Sequence, residues 1–448
     1  MEQREKAIIV GGGIAGKLFA RVLSDFFKEV IILEKDQEPG GPVARKGAPQ
    51  GEHLHALLHA GEYGLESLFP GINDRFVFGG AVKIDSTKDL AWFHHGVWKL
   101  RFGGEFTSTL QTRPHLEWQI EQLTKQIKNI SYLYNHTVKD FLYSQEENRI
   151  YGVTIKGPDS SITDITGDIV VDASGVSSFS NRWLGQYGYT IPEEKVRIGL
   201  SYISKDYELP KEKRDWTIKL IYPSPPHDKI GGTISKVEND RYKVTLMGYG
   251  NEIKDKEVLA SEHAFQELSA KLPRPDIFKE LKIGKALSPA TIYRVPHIIW
   301  RRFDKTKNLP KGLLLAGDTV CRIDPVFGQG MTIATLQALA LKRQLEKQPG
   351  FFSDDTERIF QKKAAKIIKP VWNMVISEDF RYPFVKGKKP PGLGIQQWYT
   401  KQIFLLSSQN QNVYRRFITV MNLVKPAAVL FAPSVVYHVL KQGFRKKE

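Results

Sequence analysis

Three short apolar runs punctuate the chain, Ala7–Val10, Ile169–Val171 and Leu313–Leu315, and each leads into a glycine-containing turn. Unbroken runs of this length suit strands buried on both faces of a parallel sheet. Leu18, Phe19, Val22, Leu23 and Phe26 recur at helical spacing and predict a helix over Ala15–Phe27, then a strand over Glu29–Leu33. A second helix is expected over Leu54–Leu68, closed by Pro70-Gly71. A third, His115–Ile127, is opened by Thr112-Arg113-Pro114 with proline in its first turn. Phe76–Phe106 is aromatic and alternating, as antiparallel strands are, and Ser131–Ile155 predicts further strands. Residues 186–299 alternate between Pro/Gly turns and predict mostly β-structure with one helix near Glu262–Lys271. A long helix is expected over Thr332–Lys347, and from Ser353 onward the pattern is helical and basic, broken at Lys388–Gly392.

The first run carries the most chemistry. Gly11-Gly12-Gly13-Ile14-Ala15-Gly16 fits G-x-G-x-x-G between a predicted strand and a predicted helix. Gly11 permits the tight turn, Gly13 lets a pyrophosphate approach the backbone, and Gly16 lets the helix pack closely on the strand. Glu34 ends the next strand, eighteen residues after Gly16. A carboxylate there accepts the hydroxyls of an adenosine ribose while the helix N-terminus holds the phosphates. A dinucleotide site is the expectation. The 448 residues contain a single such fingerprint, so a second dinucleotide has no resident site of this kind.

Length and charge refine this picture. A chain of this size exceeds one core and predicts two or three domains. Residues 1–75, 105–185 and 300–350 group as a discontinuous nucleotide-binding domain. Residues 76–104 and 186–299 form a β-sheet domain, and residues 351–448 a basic helical region. The single cysteine, Cys321, excludes an internal disulfide framework and favours a reducing cytoplasm. The charged start, Met1–Lys6, lacks a signal-peptide pattern, and no apolar stretch reaches the ~18 residues of a membrane span. The net charge of +16 is uneven: residues 351–448 hold 17 Lys and Arg against 6 Asp and Glu, leaving only +5 for the rest. No nucleic-acid module accompanies this basic region. A solvated face or peripheral contact with an anionic membrane, centred on Arg445, Lys446 and Lys447, are the two expectations.

Candidate side chains are fewer. His53 and His55 lack the cysteine or carboxylate cluster a metal needs, and capping or cofactor contacts are the better expectation. Tyr222, His227 and Tyr293 are the candidate bases, although ordinary packing or surface roles account for each better. Trp92, Phe93, Trp98, Phe102 and Phe106 are either core or the lining of a large apolar pocket.

Three motifs stand in order: Gly11–Gly16 with Glu34, Asp172–Arg182, and Gly317–Met331. Together they resemble the FAD-dependent aromatic hydroxylase superfamily, typified by the fold of p-hydroxybenzoate hydroxylase, over about residues 1–350. Asp172-Ala173-Ser174-Gly175 with Ser178 and Arg182, beside Pro49–Leu58, is similar to the branch that includes flavin epoxidases of polyether and terpenoid biosynthesis. Glu378-Asp379-Phe380-Arg381 and the final helices look like the same branch. The resemblance implies an α/β fold: a Rossmann-type FAD-binding domain, a mixed or antiparallel β-sheet substrate domain and a C-terminal helical region. It implies FAD as cofactor and NAD(P)H as transient reductant. Gly11, Gly13, Ile14, Ala15, Gly16, Glu34 and Lys35 would bind the adenosine half, and Arg45 and Arg113 match positions that contact FAD. Asp172 and Gly175 would bridge the FAD and NAD(P)H sites. Gly317 and Asp318 would meet the ribityl chain, Pro325 would shape the turn, and Gly328, Gln329, Gly330 and Met331 would face the flavin pyrimidine edge. The implied activity is monooxygenation of a large lipophilic polyene, terpenoid or aromatic compound through a flavin C4a-hydroperoxide, as epoxidation or hydroxylation. An alkene reductase of the geranylgeranyl-reductase type and a non-catalytic flavoprotein are the alternatives. The W-x-W-x-I-P motif of tryptophan halogenases is missing.

Overall fold

The computed structural model describes residues 4–254, 259, 261–347 and 355–444. Ser353 and the Arg445-Lys446-Lys447 cluster lie outside the described residues. The three apolar runs do share one sheet. Its five strands run in the order Leu313–Leu315, Ile169–Asp172, Arg4–Val10, Phe27–Leu33 and Ile130–Leu133, all parallel. Parallel strands need both faces covered. One face packs on the helix Ile14–Leu23 and on the long helix Gly330–Leu345, with Phe360 of the helix Thr356–Asp379 edge-on to Phe19 at 5.6 Å. The first helix ends at Leu23, and the next strand begins at Phe27 because Phe27 and Val30 already bury in the sheet core.

Of the strands expected over Ser131–Ile155, the first joins this parallel sheet. Thr137–Ser144 and Ile162–Thr166 instead flank Arg149–Lys156, each antiparallel to it, in a separate three-stranded sheet. A nine-stranded sheet forms the second layer, built on the sixteen-residue strand Glu193–Glu208 and its antiparallel partner Thr291–Arg301. It is mixed: Leu90–His94 pairs parallel with Ile218–Ile221. The helix expected near Glu262 is Glu262–Ala270, and a second, Asp276–Ile283, follows it. Phe265 and Leu268 of the first and Ile277 and Leu281 of the second pack in one buried cluster with the sheet. The four apolar residues in those eight positions read as well for a strand, which is why the pattern missed this helix.

The expected helix Leu54–Leu68 forms only over His59–Leu68. Its first residues stay extended because Thr245 Oγ1 accepts the Leu54 N–H at 3.1 Å and Thr332 Oγ1 accepts the Leu58 N–H at 3.2 Å. The C-terminal region is helical as expected, with Thr356–Asp379, Leu393–Leu406, Gln411–Met421 and Pro433–Gly443. It is not an appendage. Ile403, Phe404, Val413 and Phe417 share a buried cluster with Trp92 of the large sheet. Among the described residues, no helix is long and apolar enough to cross a membrane.

Candidate active site

A cavity of about 1510 Å³ runs between the parallel sheet, the large sheet and the C-terminal helices. Glycine geometry builds its nucleotide end. Gly11 sits at φ +100°, where a Cβ would lie 2.9 Å from the Ala173 carbonyl, and a Cβ on Gly16 would lie 1.9 Å from the Gly11 carbonyl. Only glycine lets this turn and helix meet so closely. Gly13 differs: nothing lies within 4 Å of its Cβ direction, and it lines the cavity. Its backbone and the start of the helix Ile14–Leu23 leave room for a pyrophosphate.

Glu34 is fixed behind this turn. Its Oε2 accepts the Gly12 N–H at 2.9 Å and Arg45 at 2.9 Å, and its Oε1 accepts the Asp36 N–H at 3.0 Å. That uses three of roughly four carboxylate lone-pair positions, so Glu34 has room for one ribose hydroxyl rather than two. Arg45 also donates to Glu117 at 3.0 Å, and Arg113 pairs with the same Glu117 at 3.0 Å. Burial alone would raise the Glu117 pKa, but Arg113, Lys17 and Arg45 together hold it down at about 2. Burial opposes the Arg45 charge, and Glu117 and Glu34 more than restore it.

The same carboxyl end of the parallel sheet, beyond the strand Leu313–Leu315, supplies Asp318 and leads to the turn Asp324–Gln329. Asp318 lines the cavity without a hydrogen-bond partner among the described residues, and burial raises its pKa. An unpartnered carboxylate in a cavity wall is the acceptor a ribityl hydroxyl requires. Asp324 is fully buried and shapes the turn: it accepts the Val326 N–H at 2.9 Å and the Tyr249 hydroxyl at 2.8 Å. It also lies near Asp379, and burial raises the pKa of both carboxyls, that of Asp379 well above its ordinary value with Asp324 adding to the rise. Gly328 lies at φ +66°, and the helix Gly330–Leu345 starts at the cavity wall. These residues fit FAD: a phosphate cradle at Gly13, ribose acceptors at Glu34 and Asp318, and a helix N-terminus for the pyrimidine edge.

Fifteen of the eighteen predicted contact residues line this one cavity: Gly11, Gly13, Ile14 and Ala15; Glu34, Lys35, Arg45 and Arg113; Gly175, Gly317 and Asp318; Pro325, Gly328, Gly330 and Met331. Three do not. Gly16 acts by packing. Gln329 is buried, its side-chain amide reaching the Met421 carbonyl at 3.4 Å. Asp172 corrects the expectation of a bridge between two cofactors. It is fully buried, and its oxygens accept Ser174 N–H at 2.9 Å and the hydroxyls of Ser174 and Ser178 at 2.6 Å, with Ser180 closing the set. A carboxylate so saturated shapes the loop to Ser180 and lies outside the cavity lining.

The candidate bases divide as well. Tyr222 lines the cavity but donates its hydroxyl to the Val326 carbonyl at 2.7 Å, and Tyr293 also lines it. His227 sits in the turn Ser224–Asp228, outside the cavity. His53 and His55 line the wall: His53 Nδ1 meets Ser204 Oγ at 2.7 Å, and His55 Nδ1 meets the His53 carbonyl at 2.9 Å. Burial and Lys243 push His53 down to about 4, and burial and Arg113 push His55 down to about 3, so both are neutral. Sequence reasoning missed His94 and Thr400, which also line the cavity, and gave Glu378 only as part of a family-like motif with no place at the site. The signal was present in Leu90–His94, where Trp92 and His94 alternate onto one face.

Residues 9–70 match the family described as NAD(P)-binding Rossmann-like domain. Protein Rv3254 of Mycobacterium tuberculosis (strain ATCC 25618 / H37Rv) is 30% identical over 437 residues, covering 90% of each chain. Squalene monooxygenase 1,1 of Brassica napus is 22% identical over 76% of this chain and 62% of its own length. Among solved structures, p-nitrophenol 4-monooxygenase PnpA from Pseudomonas putida DLL-E4 superposes with a TM-score of 0.67 at 16% identity, covering 94% of this chain and 99% of that one. CmlS, a flavin-dependent halogenase, gives 0.68 at 15% identity over 95% and 77%. The two structures establish a shared fold, and the mycobacterial relative spans nearly the whole chain. The chain belongs to one family with the mycobacterial protein, and it carries a Rossmann-like dinucleotide-binding domain within the fold shared by these flavin-dependent enzymes.

Proposed function

We propose that this protein inserts one atom of O2 into a large lipophilic substrate, a polyene, terpenoid or aromatic compound, as an epoxidase or hydroxylase. The observation that carries this reading is the continuity of the cavity. The flavin-type turn at Pro325–Gly328 and the apolar wall of Trp92, Leu220, Ile403, Phe404 and Phe417 belong to one space. When bound and reduced, FAD activates dioxygen and supplies the oxygen atom. The chain's own residues do the rest. Gly13 and the helix Ile14–Leu23 hold phosphate, Glu34 and Asp318 accept hydroxyls, and the start of Gly330–Leu345 stabilises negative charge at the ring edge. The C-terminal helices exclude water from the reacting face. Tyr222, already donating to Val326, holds the turn rather than a substrate proton. The squalene monooxygenases, whose name states a lipophilic substrate, support the choice of substrate class.

Exposed Ile395 and Phe431 lie at the rim of the same cavity, with Lys425 beside them. This supports peripheral docking on an anionic membrane, from which such a substrate would enter. Flotation with anionic vesicles should fall in Phe431→Asp, and unchanged flotation would rule docking through this rim out.

The test of the activity is to incubate the FAD-loaded protein with NADH or NADPH, 18O2 and a panel of polyenes, terpenoids and phenols. One labelled oxygen in a product, with one NAD(P)H oxidised, is expected. Oxidation of NAD(P)H with a hydrogenated, unlabelled product would instead establish an alkene reductase.

A further inference from the structure

Beside the apolar wall lies a polar cluster of His94, His95, Glu378, Arg381 and Thr400, of which His94, Glu378 and Thr400 line the cavity. We propose that His94 in this cluster binds a hydroxyl group of the substrate, so that the natural ligand is a lipophilic alcohol or phenol rather than a pure hydrocarbon. The proposal names the substrate class of the cavity and so rests on the monooxygenase reading.

The cluster is built from three elements. The strands Leu90–His94 and Val97–Trp98 are joined through His95 at φ +51° and Gly96 at φ +79°, a two-residue turn of the primed type. A histidine held in the left-handed region is uncommon and invites a reason. Here its ring points at the long C-terminal helix, where His95 Nε2 lies 3.2 Å from Glu378 Oε2. Arg381 clamps both oxygens of Glu378, at 2.7 and 2.9 Å, and donates again to the Gln397 carbonyl and to Thr400 Oγ1 at 2.9 Å. Every member of this relay has partners.

His94 is the exception. Only 8% of it is exposed, and it stacks on Trp92 at 5.4 Å with Phe404 at 4.6 Å and the His95 ring at 4.5 Å. Its Nδ1 is buried without a partner. Nδ1 is sealed within the wall, so the nitrogen that a ligand in the cavity can reach is Nε2, for which the described residues supply no hydrogen-bond partner either. Burial, His95, Lys99 and Arg381 keep this imidazole neutral, so it carries one donor and one acceptor nitrogen, the complement of a hydroxyl. The position suits the chemistry. The Tyr222 ring lies 5.6 Å from the His94 ring and its hydroxyl reaches the Val326 carbonyl of the flavin-type turn. A skeleton anchored by its oxygen at His94 therefore lies along the apolar wall toward the reacting face.

Three potential metal ligands lie within 4.8 Å here, His94, His95 and Glu378. Arg381 already occupies both oxygens of Glu378 and places a fixed positive charge beside the three, which opposes a divalent ion.

The test uses FAD-loaded full-length protein and two probe pairs, farnesol with its methyl ether and 2-naphthol with naphthalene, followed by calorimetric titration. The hydroxylated member should bind about tenfold tighter in the wild type, as a satisfied buried donor–acceptor site requires. In His94→Phe the ratio should fall to about one, with binding of the ether and the arene retained, while His94→Gln should restore part of it. A ratio unchanged in His94→Phe, or no saturable binding of any probe, would overturn the proposal. So would tight binding of Zn2+ alone that is lost in His94→Phe. Because the readout is equilibrium binding, failure of the monooxygenase reading in the 18O2 assay leaves it interpretable, and the reverse also holds.

Discussion

Replacing Gly13 with alanine adds a methyl group that meets no atom within 4 Å, and Gly13 lies at φ −74°, which any residue adopts. The apoprotein should lose at most about 1 kcal/mol, the cost of a poorer helix N-cap. The methyl does point into the space assigned to the pyrophosphate. Losing one charge-assisted hydrogen bond there, at about 1.5–3 kcal/mol, should weaken FAD binding roughly 10- to 150-fold. Gly16→Ala should behave in the opposite order. Its Cβ would lie 1.9 Å from the Gly11 carbonyl oxygen and 3.1 Å from its carbon, against ordinary contact at 3.4 Å or more. Both neighbours are backbone, so the helix must shift bodily, and the apoprotein itself should lose about 3 kcal/mol. Urea unfolding of the apoproteins and titration of FAD by fluorescence quenching measure the two effects separately. Wild-type FAD affinity in Gly13→Ala, or a Gly16→Ala apoprotein as stable as wild type, would refute this account of the fingerprint.

Other consequences follow from buried charge and packing. Asp379 keeps its proton in the folded protein far above the pH at which the unfolded chain releases it. Its contribution is complete below the unfolded pKa and declines as pH rises through the folded one, so Asp379→Asn should flatten the fall of the urea midpoint with rising pH. Glu117, held at about 2, contributes in the other sense: its stabilisation is present above the unfolded value and is lost as pH falls toward 2. Arg45→Ala should cost about 3 kcal/mol at neutral pH and raise the pH at which acid unfolding begins. Phe417→Ala removes a ring packed at 5.8 Å on Trp92 and 5.3 Å on Phe404. It should cost about 3–5 kcal/mol within one unfolding transition, whereas a separate early transition would show the C-terminal helices to be an independent unit.

Local rules made the nucleotide end of the molecule legible. Ala7–Glu34 obeys strand, turn and helix constraints that act within thirty residues, and Gly317–Met331 likewise, so their residues converge on one cavity. Asp172 shows the limit of a motif: its position was right, but its serine neighbours turn the carboxylate inward. The helix over Leu54–Leu68 failed at its first residues because Thr245 and Thr332, distant in sequence, claim two backbone donors. The substrate end was least legible. Trp92 and His94 come from the large sheet, Glu378 and Phe417 from helices nearly three hundred residues later, and only tertiary packing brings them together. A basic composition described the C-terminal region by its surface and concealed the apolar face that closes the cavity.

The central claim is that this cavity holds a flavin that takes electrons from NAD(P)H and gives them to oxygen beside a lipophilic ligand. Its most direct test is to reduce the FAD-loaded protein anaerobically with NADH or NADPH, add oxygen, and follow the flavin spectrum by stopped flow. The account predicts bleaching of the oxidised flavin by one of the two nucleotides. On oxygen addition, a transient absorbance should rise and decay before the oxidised spectrum returns. Flavin that either nucleotide bleaches but that stays reduced in air, discharging only to an alkene, would contradict it.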